Sequence, residues 1–108
     1  MKKINMTPYT VSARTPDGQT KEINYGIKES MVEILYNPAL KLNSINLLKQ
    51  ETLAKKIADC AGDELLLEED EYVRLKNALG VIEGLSKNDL SMVHRIVEAE
   101  EVEVTEKK

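Results

Sequence analysis

Five residues, Thr15-Pro16-Asp17-Gly18-Gln19, constrain the fold more than any others. Proline presets φ for the first central position of a turn, aspartate bonds back to the backbone, and glycine accepts a positive φ. Apolar residues alternate on both sides of them. Tyr9, Val11 and Ala13 share one face over residues 9–14, and Ile23, Tyr25 and Ile27 do so over residues 20–27. Two period-two segments around such a turn predict a β-hairpin. A two-stranded hairpin alone is marginal in water, so its apolar face needs a cover and its edges invite another strand. Within the chain, Leu65-Leu66-Leu67 and the alternating Val102-Glu103-Val104 are the candidate strands; a second chain would serve equally.

The remainder reads as helical. Ser30-Met31-Val32-Glu33 has capping-box spacing and precedes Ile34 and Leu35, and Asn37-Pro38 stops that short helix. A second helix spans 44–61, with Leu47, Ala54, Ile57, Ala58 and Ala61 on one side and Gly62 as its C-terminal cap. From Glu68 onward, Tyr72, Leu75, Leu79 and Ile82 form a stripe of helical spacing, begun by four acids that suit the helix dipole and stopped at Gly84. Ser86 and Asp89 predict another start, after which Leu90, Val93 and Val97 share a face, with Met92 and Ile96 beside them. The expectation is one α+β domain over residues 1–104: an N-terminal hairpin, about four helices and a short C-terminal edge strand. Residues 105–108 read as a flexible tail.

Bulk properties narrow the function. With 42% hydrophobic residues but no Phe or Trp, the core rests on Leu, Ile, Val, Met and Ala. Limited burial in a 108-residue chain makes self-association an attractive source of stability. The longest apolar runs are three residues, such as Leu65 to Leu67, too short for a membrane span or a signal-peptide core. The lone Cys60 permits no internal disulfide, in keeping with a reducing cytoplasm. Net charge is −4, unevenly spread: residues 1–61 carry nine Lys/Arg against six Asp/Glu, and residues 62–108 carry six against thirteen. Such halves attract one another, within a chain or between subunits.

Catalytic chemistry finds little footing. One histidine, His94, and one cysteine, Cys60, provide neither a nucleophile turn nor the four ligands of a structural zinc. The acids at 68–71 lack the alternation and central glycine of a calcium loop, and the five glycines form no phosphate cradle. No catalytic residue, metal, cofactor or small-molecule substrate is expected. Lys49, Lys55 and Lys56 on the second helix offer phosphate contacts, but Arg14 is the only arginine of the basic half and pI is near 5.1. Nucleic acid is therefore a secondary prospect. Binding to protein remains, with the hairpin and the C-terminal alternation as interface candidates: Tyr9, Val11, Tyr25, Val102 and Val104.

Lys2-Lys3-Ile4-Asn5-Met6-Thr7-Pro8-Tyr9-Thr10-Val11, the Pro16-Asp17-Gly18 turn, Lys28-Glu29-Ser30-Met31-Val32-Glu33-Ile34-Leu35, Glu71-Tyr72 with Leu75-Lys76, and Glu98-Ala99-Glu100-Glu101-Val102-Glu103-Val104 give the chain a second kind of signature. In this organisation it resembles small uncharacterised proteins encoded in tailed phages and integrated prophages. The resemblance implies a non-enzymatic role in particle or tail assembly, and carries no site residues with it. The expected function is protein–protein association, as a homo-oligomer or with other assembly components. The alternative is a small regulatory module, antitoxin-like or DNA-associated.

Overall fold

The computed structural model describes residues 1–102; Val104 and the expected tail at 105–108 lie outside the described residues. Along the chain the order is β1 (Lys2–Asn5), β2 (Thr10–Arg14), β3 (Thr20–Asn24), α1 (Ile27–Leu35), α2 (Ser44–Ala58), β4 (Glu64–Leu67), α3 (Glu69–Val81), α4 (Leu90–Val97) and β5 (Glu100–Glu101), with 3-10 turns at Pro38–Leu40 and Lys87–Asp89. This is the expected α+β class, with the hairpin and four helices in place.

The strands form two separate sheets. β1 is central in the first, antiparallel to β4 on one side and β5 on the other. Ile4 stands opposite Leu65 and Lys2 opposite Leu67, so Ile4, Leu65 and Leu67 point together into the core. The second sheet is β2 and β3 alone, with Val11 opposite Ile23 and Ala13 opposite Lys21. Of the two candidate strands, Leu65–Leu67 thus joins β1 rather than the hairpin, and the short C-terminal edge strand β5 also lies beside β1, with Glu103 and Val104 of the second candidate outside the described residues. The Leu65–Leu67 segment pairs with β1, because three leucines in sequence bury better beside Ile4 and under helices than on a solvated hairpin. At the C-terminus pairing begins at Glu100, two residues before the expected Val102, and Val102 N–H donates to Met1 O at 2.8 Å. Lys2–Asn5 carries no strand signal in the sequence, because one inward residue, Ile4, is too short a pattern to register.

The helices close over one face of the first sheet. Their core comprises Met31, Ile34 and Leu35 of α1, Leu53 and Ile57 of α2, Tyr72, Leu75 and Leu79 of α3, and Met92 and Ile96 of α4. Each helix reading needs some correction. α1 starts at Ile27, ahead of the Ser30 box, because Ile27, Met31 and Ile34 then form one buried stripe. α2 ends at Ala58 and turns Gln50, Leu53, Ala54 and Ile57 inward, leaving Leu47 and Ala58 exposed and Ala61 and Gly62 beyond its end. In α4 the inward face is Met92 and Ile96; Leu90 and Val97 are about half exposed and Val93 partly buried. The α3 stripe is buried as expected through Tyr72, Leu75 and Leu79, but the helix ends at Val81, ahead of the expected stop at Gly84, with an extended Ile82 packed at its margin.

Gln50 is buried at 1% exposure and ties three helices together. Its Nε2 donates to Leu35 O at 2.9 Å, satisfying a terminal carbonyl of α1, and its Oε1 accepts from Arg74 Nη1 at 3.0 Å. The charge asymmetry of the sequence is also used inside the chain. Lys2 pairs with Glu101, Lys3 with Glu64 and Glu100, and Lys56 with Glu71, each joining the basic front to the acidic back.

Candidate protein-docking arm

β2 and β3 bury no residue fully, and every residue of β3 is exposed. The hairpin stands off the core as an arm, consistent with dimensions of 57 × 34 × 22 Å. The radius of gyration is 15.3 Å, against roughly 13 Å for a compact chain of this length. Its tip is the predicted turn: Thr15 N–H donates to Gln19 O at 2.8 Å, Gly18 N–H to Thr15 O at 3.0 Å, and Gly18 has φ +86°. Asp17 accepts from the Thr15 hydroxyl and from Gln19 N–H, which hold its carboxyl below the usual range.

At the root an aromatic clamp fixes the arm to α4. The Tyr9 and Tyr25 rings stack with centroids 5.0 Å apart. The Arg95 guanidinium lies 4.6 Å over Tyr9, and its Nη1 donates to Asn5 O at 3.1 Å and Thr7 O at 2.7 Å. Tyr25 donates its hydroxyl to Asp89, which also accepts from Ser86 N–H at 2.8 Å. Burial pushes the Tyr25 phenol far up, and the bond to Asp89 adds to this. Burial would likewise raise Asp89, but the Tyr25 hydroxyl and Ser86 outweigh it and hold the carboxyl low. The Tyr9 hydroxyl is buried without a hydrogen-bond partner among the described residues. Burial raises its pKa, with neighbouring Ser91 and the Arg95 charge opposing.

The two edges of the arm differ. Tyr25 N–H bonds to Tyr9 O and Thr15 N–H to Gln19 O, so in this register the odd-numbered residues spend their backbone groups between the strands. The even-numbered ones point outward. On β2 the outward Ser12 carbonyl is already taken by Asn88 Nδ2 at 2.9 Å. On β3 the outward groups of Thr20, Glu22 and Asn24 pair with no strand among the described residues. Side chains alternate the other way, placing Val11, Ala13, Lys21 and Ile23 on the face that continues from the tyrosine stack. Ile23 is 44% exposed there.

No family model, curated protein or solved structure matches this chain. The reading of the site therefore rests on its geometry.

Of the five residues singled out as interface candidates, Tyr9 and Tyr25 meet at the root, while Val11 lies along the arm. Val102 is remote in the fold, partly buried beside Met1 at the edge of the first sheet, and Val104 lies outside the described residues. Arg95, Asp89 and Asn88 were missed; they sit more than sixty residues from the hairpin, and only folding brings them to it. Cys60 and His94 have separate surroundings: Cys60 Sγ faces Gly62 O and Glu64 O, whereas His94 Nδ1 is 3.3 Å from Glu98. Among the described residues no group of three His, Cys, Asp or Glu is placed to hold a metal, and no helix is long and apolar enough to cross a membrane. On α2, Lys56 is engaged by Glu71 at 2.7 Å and Lys55 lies 3.9 Å from Glu51, which leaves Lys49 as the α2 lysine outside an ion pair among the described residues.

Proposed function

We propose that this protein works by protein–protein association, without catalysis, and that the β2–β3 arm is the element it docks with. The observation that carries this reading is a preorganised two-stranded hairpin, clamped at its root and open along β3. A free hairpin of this kind gains stability and loses its open edge when another strand joins it. A rigid root lowers the ordering cost of docking, since the arm need not be immobilised on contact. An assembly role, such as the phage and prophage resemblance implies, suits a projecting element that links copies or components. The close pairing of Lys56 with Glu71 leaves Lys49 and Lys55 as the α2 lysines open to phosphate, which makes the DNA-associated alternative the weaker reading.

Replacing Ser12–Glu22 by an Asn-Gly turn between Val11 and Ile23 tests the proposal. That variant keeps the tyrosine clamp and a turn suited to a two-residue hairpin. It should melt cooperatively like the full chain, while light scattering coupled to size exclusion shows association of the full chain only. A shortened variant that associates as the full chain does would overturn the arm as the docking element.

A further inference from the structure

The geometry points to a second copy of this chain as the occupant of the β3 edge, joined antiparallel across a twofold axis with Ile23 at its centre; this rests on the arm being the docking element. A twofold axis relating two antiparallel neighbours runs perpendicular to their sheet and leaves each side chain on its original face. A residue can then oppose only residues of its own parity, and the registers that pair more than one residue of β3 with β3 of the second copy are those centred on Lys21, Glu22 and Ile23. Centring on Lys21 sets two ammonium groups opposite each other, and centring on Glu22 sets two carboxylates opposite. Like charges directly opposite destabilise a strand pair.

The Ile23-centred register removes both conflicts. Glu22 of one copy opposes Asn24 of the other, and these are two of the residues whose backbone groups point outward, so they can exchange the new ladder bonds. Ile23 faces Ile23 of the second copy at a pair without mutual hydrogen bonds, where side chains approach most closely, covering a residue now 44% exposed. Lys21 comes opposite Tyr25 of the second copy, whose hydroxyl is held by Asp89. A cation is thereby brought to an aromatic ring and a carboxylate, a complementary environment. The β2 edge is a poorer choice because Asn88 already occupies the Ser12 carbonyl.

Disulfide trapping in the full chain tests the register. In a Cys60→Ser background, Ile23→Cys, Glu22→Cys and Lys21→Cys are oxidised separately at a concentration where the protein associates. Directly opposed positions without mutual hydrogen bonds have Cα atoms about 4.5 Å apart, within reach of a disulfide. The expected result is a covalent dimer from Ile23→Cys and its loss in the other two, with circular dichroism melts unchanged in all three. A covalent dimer from Glu22→Cys or Lys21→Cys in place of Ile23→Cys overturns the register. A monomeric mass for the unsubstituted chain at every concentration overturns the second copy as occupant. Where arm shortening abolishes association yet none of the three positions cross-links, this inference fails and the arm remains the docking element.

Discussion

Arg95→Ala removes the central piece of the clamp. Arg95 contributes two hydrogen bonds to backbone carbonyls, at 3.1 and 2.7 Å, and a guanidinium 4.6 Å over the Tyr9 ring. Both carbonyls belong to exposed residues, so water replaces the lost donor and no buried acceptor is stranded. Each bond is then worth a net of about 0.5–1.5 kcal/mol. The ring contact adds about 0.5–1 kcal/mol at such a site. The combined cost is centred on about 2–3 kcal/mol, or roughly a 30- to 150-fold rise in the opening equilibrium of the arm. Amide hydrogen exchange reads this directly. The N–H groups of Val11, Ala13 and Ile23 bond between the strands and should lose protection by that factor, up to full exposure. Core amides such as Leu75, which exchange only on global opening, should lose less. Arg95→Lys keeps a charge but not the planar fork or the stacked face, and should recover only part of the effect. Equal losses in the core and the arm, or no loss in the arm, would refute the clamp.

Three further outcomes are expected. Gln50→Leu strands the Leu35 carbonyl and releases Arg74, lowering stability by about 2–4 kcal/mol in urea denaturation and Tm by about 10–20 °C. A Tm within 2 °C of the parent, on the order of the scatter for neutral substitutions, would contradict that account. Arm protection should also be bell-shaped in pH. Asp89, whose folded pKa is depressed, supports the arm fully above the ordinary carboxylate pKa of about 4, and that support disappears as pH falls through the folded value. Tyr25, whose folded pKa is raised, loses its contribution as pH climbs from about 10 toward that raised value. Asp89→Asn should flatten the acid limb of the exchange profile, and an unchanged limb would remove Asp89 from the clamp. Gly18→Ala forces a side chain into φ +86° at the tip, costing about 1 kcal/mol of arm stability by the same exchange measurement. A neutral result would mean that the turn re-forms with another geometry.

Much of the fold was legible where local chemistry decided it. The Pro16-Asp17-Gly18 turn, the stop before Pro38, the acidic start of α3 and the Ser86–Asp89 capping box each depend on neighbours within a few residues. Partner choice between distant strands was not legible. β1 shows one inward apolar residue, and nothing local says that Leu65 will stand opposite Ile4, sixty-one positions away. The rotations of α2 and α4 failed for a related reason. Both helices carry apolar residues on more than one side, and periodicity alone cannot choose between Leu90–Val93–Val97 and Met92–Ile96. Burial beneath the neighbouring elements settles it. Gln50 inverted the usual reading, since a polar residue takes an inward position when two partners wait there. At the candidate site, Tyr9, Val11 and Tyr25 could be read from alternation. Arg95, Asp89 and Asn88 could not, because their roles exist only after α4 reaches the root of the hairpin.

The most direct measurement is site-resolved amide exchange across β3 at low and high protein concentration. The N–H groups of Thr20, Glu22 and Asn24 point away from β2 and meet no partner among the described residues, whereas those of Lys21 and Ile23 are bonded within the arm. Docking through the open edge predicts that protection at residues 20, 22 and 24 rises with concentration while residues 21 and 23 change little. Outward amides that exchange at the same fast rate in dilute and associated samples would contradict the account.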